Sequence, residues 1–142
     1  MNERGRGTTV YRLLQDAEAG RIEIVTSFLT LAEVLRSGSV SAAGKQLSDQ
    51  DINEFFERPE IGMITVDRLI AEKAREIRRG APRLGKNRFM VGDAIHIATA
   101  IISDVDALYS YDDDDLVTYD RVFDDLRIEN PSWTGQMTLP NP

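Results

Sequence analysis

Cysteine is absent from this chain of 142 residues, which excludes disulfides and thiolate metal sites and accords with a reducing, cytoplasmic setting. Long apolar runs are absent too. No stretch approaches the roughly 20 residues that a membrane helix needs, so no membrane partner is expected. The opening Met1-Asn2-Glu3-Arg4-Gly5-Arg6 leads into an amphipathic segment, and no signal peptide is expected from it. Lysine is scarce, occurring only at 45, 73 and 86. What the chain does have is 42% hydrophobic residues, enough for the core of one compact domain.

The formal net charge of −7 argues against nucleic acid as a partner until it is divided along the chain. From Asp104 to Glu129 there are ten acids and two bases, leaving 15 bases and 14 acids elsewhere. Within that remainder Arg78, Arg79, Arg83, Lys86 and Arg88 follow one another with no intervening acid. Such a strip can grip phosphates on an acidic protein, or be no more than a solvated helix end and loop.

Helical and strand patterns alternate, which predicts an α/β fold with a parallel sheet. Val10, Leu13, Leu14 and Ala17 recur at helical spacing up to a stop at Gly20. A strand is expected over Ile22–Thr26, then a helix from about Leu29 to Arg36 that ends near Gly38. Ser48 to Asp51 begins a helix carrying Ile52, Phe55 and Phe56, broken by Pro59. Ile61–Val66 reads as a strand, and Asp67 opens a helix with Leu69, Ile70, Ala74 and Ile77 on its apolar side, closed by Gly80. After a basic loop, Asp93 opens an apolar helix to Ile102, and Asp106–Ser110 forms a strand. A short helix over Asp120–Asp125 and a last strand over Leu126–Ile128 complete a single domain of residues 1–130. The tail 131–142 is irregular, with Trp133 as its one anchor.

Three acids stand where apolar segments meet a turn or helix start: Glu33, Asp93 and Asp112. Ligands of parallel sheets bind beyond the carboxyl ends of the strands, and each of the three can face that rim. Converging carboxylates repel one another unless a cation lies among them, and oxygen-only donors select hard ions such as Mg2+ or Mn2+. Each acid also has a plain structural reading. Thr30-Leu31-Ala32-Glu33 matches a capping box, Asp93 complements a helix dipole, and Asp112 to Asp115 makes a polar turn. A receiver-like phosphate-accepting pocket is disfavoured, because none of the three lysines falls at a late strand end.

The segment Ser27-Phe28-Leu29-Thr30-Leu31-Ala32-Glu33-Val34-Leu35 resembles the second acidic motif of the PIN-domain nucleases. Asp93-Ala94-Ile95-His96-Ile97-Ala98-Thr99-Ala100 is similar to the third, and Ala107-Leu108-Tyr109-Ser110-Tyr111-Asp112 to the fourth. The resemblance spans roughly residues 8 to 128 and implies a three-layer α/β/α fold with a mostly parallel sheet. It implies a ribonuclease of the VapC toxin type, held by an antitoxin protein and plausible as a homodimer. Glu33, Asp93 and Asp112 would hold Mg2+ or Mn2+, with Asp114 or Asp115 as a further carboxylate and Ser110 as a hydrogen-bonding neighbour. His96 is expected to be a packing residue. Arg78, Arg79, Arg83, Lys86 and Arg88 would line the RNA path.

The family pattern opens with a central strand ending in Asp, whereas here helical periodicity is reached by Thr8 and Asp16 falls late in a helix. The expectation is an N-terminally shortened chain that lacks the first strand and its carboxylate and is impaired as a nuclease. A non-catalytic module of the same fold, binding RNA or protein, is the alternative.

Overall fold

A computed structural model describes residues 3–34 and 48–133. The expected helix end at Arg36–Gly38 and the tail beyond Trp133 lie outside the described residues. The elements run α1 (Glu3–Glu18), β1 (Ile24–Ser27), α2 (Phe28–Glu33), α3 (Asp49–Phe56), β2 (Ile61–Ile64), α4 (Arg68–Gly80), α5 (Val91–Ile102), β3 (Leu108–Tyr109), a 3-10 turn (Leu116–Tyr119) and β4 (Ile128–Glu129). The architecture is mixed α/β, as the alternating patterns require. Strand β1 pairs with β2, and β3 pairs with β4 in parallel, in the register Leu108 to Ile128 and Tyr109 to Glu129.

Two compact units are formed. One is drawn from Met1–Thr26, Thr30–Met63 and Pro131–Pro142, the other from Ser27–Leu29 and Ile64–Asn130. In the first, α1 begins earlier than Thr8 and stops where expected. Gly20 takes a φ of 76° that suits a residue without Cβ, while the Gly20 and Arg21 amides donate to Ala17 and Asp16 carbonyls. Trp133 lies against this helix, its Nε1 donating to Asp16 Oδ2 at 3.0 Å and its ring 4.3 Å from the Arg12 guanidinium carbon. Helix α3 starts at a reciprocal cap, in which Asp51 N–H donates to Ser48 Oγ and Ser48 N–H to Asp51 Oδ2. The close pairing of β1 and β2 explains Gly62. A Cβ there would lie 3.2 Å from Val25 Cγ1.

The second unit holds a core in which α4 packs on α5. Asp67 caps α4 by accepting the Ile70 N–H at 2.9 Å. Ile70, Ala74 and Ile77 then turn one buried face inward at helical spacing. Leu69, expected on that face, is 56% exposed, because it falls one position off the i, i+4, i+7 stripe. Ala94, Ile97, Ala98 and Ala100 of α5 are buried in the same core. The helix closes with a left-handed Asp104 (φ 52°), the Asp104 and Val105 amides returning to the Ile101 and Ala100 carbonyls. This closure takes up Asp104 and Val105 and leaves β3 only two residues long, shorter than the expected Asp106–Ser110. The expected helix over Asp120–Asp125 is absent. Arg121, Asp124 and Asp125 all have positive φ, which no right-handed helix accommodates.

Candidate functional site

Asp93 is the third residue of α5, half-buried, and its Oδ2 accepts the Met90 N–H at 3.1 Å. The same carboxylate therefore caps the helix start, which is the plain structural reading of its position. That role does not exhaust it. Burial holds its carboxyl above the ordinary carboxylate range, and the charges of Asp112 and Asp115 push it further up, against the Met90 N–H and His96. Asp112 and Asp115, in the turn after β3, thus bear on the charge of Asp93 at the start of α5.

That turn is ordered by its own polar groups. Ser110 Oγ accepts the Asp112 N–H at 3.0 Å, and Asp112 Oδ1 accepts the Asp115 N–H at 3.2 Å. Asn130 Nδ2 donates to the Ser110 carbonyl at 2.8 Å and to Asp113 Oδ1 at 2.6 Å, tying the turn to the residue after β4. The acids that follow Asp112 have different partners. Asp113 takes Asn130, Asp114 pairs with the Lys86 ammonium at 2.7 Å, and Asp115 accepts both the backbone and side-chain N–H groups of Asn87. Those Asn87 bonds, backbone first, keep the Asp115 carboxyl below its ordinary range, with help from Lys86. Of the three, Asp115 is the one whose charge bears on Asp93.

Glu33 is exposed at the last residue of α2, in the first unit. Its capping-box reading does not hold. The helix starts at Phe28, with Ser27 Oγ accepting the Leu29 N–H, so Thr30 is an interior residue and bonds Thr26 Oγ1 instead. Among the basic residues, Arg78 and Arg79 are exposed in the last turn of α4, where they complement its dipole. Arg83 and Arg88 are exposed in the following loop, and Lys86 is committed to Asp114.

A family model for the PIN domain matches residues 2–128. The chain belongs to the PIN-domain family. No match was found among curated proteins or among solved structures. PIN domains are nuclease-type folds that typically use divalent metal ions. The donors here suit such an ion in kind: Asp93, Asp112 and Asp115 offer hard carboxylate oxygens, and a cation near Asp93 would offset the charges that Asp112 and Asp115 set against it. Their grouping is open, since among the described residues no set of three or more His, Asp or Glu side chains is gathered closely enough to hold a metal. Also among the described residues, no helix of this PIN domain is long and apolar enough to cross a membrane.

Three residues that hold the acidic turn and the basic loop are not picked out by the sequence reading: Asn87, Asn130 and Tyr119. The two asparagines lie in polar stretches without periodicity, and nothing in the residue pattern marks them. Tyr119 had a signal, as an aromatic spaced after Leu116 and Val117 in an otherwise acidic stretch. It is buried, and its hydroxyl donates to the Pro82 carbonyl and accepts the Leu84 N–H, which roots the basic loop.

Proposed function

We propose that this PIN domain is a metal-dependent ribonuclease that hydrolyses RNA phosphodiester bonds. Asp93 and Asp112 are its principal carboxylates and Asp115 is a further one. The observation that carries this reading is the placement of Asp93. It is a half-buried carboxylate at a helix start, within electrostatic reach of two acids from a separate turn. Mg2+ or Mn2+ held there would supply a bound water of lowered pKa and neutralise the scissile phosphate.

The chain's own residues divide the remaining work. The Met90 N–H fixes one oxygen of Asp93. Ser110, by accepting the Asp112 N–H, sets the backbone that carries Asp112. Arg78, Arg79, Arg83 and Arg88 offer cations to backbone phosphates, contacts that position RNA without reading its sequence. The Glu33 and Asp93 segments resemble PIN-domain motifs, and many small members of that family are VapC-type toxins, which supports a cytoplasmic toxin with an antitoxin protein as its inhibitor and a homodimer as its assembly.

A non-catalytic RNA-binding module on the same fold is the second reading. It is favoured by the engagement of Asp114 and Asp115 with Lys86 and Asn87. Incubating single-stranded RNA with the protein and Mn2+, against a chelated control, separates the two. Mn2+-dependent cleavage supports the nuclease. Salt-sensitive binding with intact RNA at every Mn2+ concentration would replace it with the binding module.

A further inference from the structure

Residues 81–90 form no helix or strand, yet the chain there is fastened on both sides of each of its two exposed arginines. Arg83 stands between Pro82, whose carbonyl accepts the buried Tyr119 hydroxyl at 2.9 Å, and Leu84, whose N–H donates to the same hydroxyl at 3.4 Å. Arg88 stands between Asn87 and Phe89. Asn87 grips one carboxylate at two points, its backbone N–H donating to Asp115 Oδ1 at 2.8 Å and its Nδ2 to Oδ2 at 2.6 Å. The Phe89 ring packs on Tyr119, with centroids 4.8 Å apart. Lys86 adds a backbone bond to the Asp114 carbonyl at 3.0 Å, and its ammonium lies 2.7 Å from Asp114 Oδ1. Gly85 sits so close to the acidic turn that a Cβ would collide with Asp115 Oδ1. Among the described residues, neither Arg83 nor Arg88 has an ion pair.

We propose that Asn87 is a positioning residue for RNA, whose clasp on Asp115 holds the backbone of Arg88 ready for a phosphate. The Tyr119 hydroxyl does the same for Arg83. A guanidinium pairs with phosphate oxygens at two points, so its contribution depends on its orientation as well as its charge. An unfastened loop surrenders backbone freedom when RNA orders it, and that cost is subtracted from the affinity. Here the loop is ordered by folding. With both oxygens engaged by Asn87, Asp115 serves RNA by holding the loop, and the Lys86 ammonium offsets the charge of Asp114, which would otherwise repel a polyanion. Asn87 thus acts through Arg88, and no metal is needed for its effect. This role rests on RNA as the ligand of the proposed function.

The test is a double-mutant cycle on the full chain, read by fluorescence anisotropy of a single-stranded RNA oligonucleotide over a salt series, with a chelator to keep the RNA intact. Arg88→Ala should flatten the slope of log affinity against log salt by about 0.7, the value of one phosphate contact. Asn87→Ala removes no charge, yet it should flatten the slope toward that value and weaken binding. The double variant should bind no more weakly than Arg88→Ala alone, because Asn87 then has nothing left to position. Gly85→Ala, which pushes the loop off the turn, should reproduce the Asn87→Ala loss, with circular dichroism confirming the fold of each variant. A slope flattened by Arg88→Ala but untouched by Asn87→Ala would overturn the positioning role and leave RNA as the ligand. Additive losses in the cycle would also overturn it, since Asn87 would then meet RNA itself. No RNA binding by the unsubstituted protein would overturn both.

Discussion

Asp93 carries two demands that pull in opposite directions. Its oxygen satisfies the exposed start of α5, yet its charge is half-buried and faces the charges of Asp112 and Asp115. Because its folded carboxyl titrates above the ordinary range, the folded protein binds that proton more tightly than the unfolded chain does. Stability from this group is therefore present at low pH and declines as pH rises through the raised value. Asn at this position keeps an oxygen for the Met90 N–H and removes the charge. Asp93→Asn should consequently melt no lower than the parent at neutral pH, with a difference in its favour that grows as pH rises out of the ordinary carboxylate range. Thermal melts of both proteins across that range check this. A parent that melts well above Asp93→Asn at neutral pH would mean that the carboxylate is a structural cap and nothing more.

At the scale of elements, the helices were legible because periodicity and caps agreed. Asp67 with Ile70, Ala74 and Ile77, and Ser48 with Asp51, each have a cap and an apolar stripe that specify the same helix. Strands were less so. With two to four residues each, they are too short for alternation to fix their ends, and Asp104 and Val105 serve the closure of α5. The Asp120–Asp125 stretch misled because left-handed residues there are aspartates and an arginine, not glycines that announce themselves. The packing of α4 on α5 gives a quantitative expectation. Ile97 is fully buried between small neighbours, so Ile97→Ala should lower the unfolding free energy by about 2–5 kcal/mol in urea denaturation. A change under about 1 kcal/mol would show that the helix interface is not the core of this unit.

For the molecule as a whole, the proposed RNA partner has to be reconciled with a net charge of −7. The sequence showed the local basic strip, but not that Lys86 is bound to Asp114. That pairing joins residues 28 positions apart, and no local pattern encodes it. Under the proposed function the cations left for RNA are Arg78, Arg79, Arg83 and Arg88, with Arg83 and Arg88 in the loop that contacts the acidic turn. Replacing both by Ala should flatten the dependence of log affinity on log salt by about 1.4 for single-stranded RNA, as two lost phosphate contacts require. An unchanged slope would place the RNA elsewhere.

The acidic site was partly legible, because Asp93 and Asp112 sit at element ends where ligands of α/β folds gather. The partners of the next three aspartates were not, since Asn130, Lys86 and Asn87 reach them from distant segments. The most direct measurement is the rate of RNA cleavage at saturating Mn2+ by the protein and by Asp93→Asn, with both confirmed as folded. The expected result is Mn2+-dependent cleavage by the former and a fall of at least about a hundredfold in the variant, in keeping with loss of transition-state charge stabilisation. Equal rates from the two proteins would contradict a catalytic centre built on Asp93.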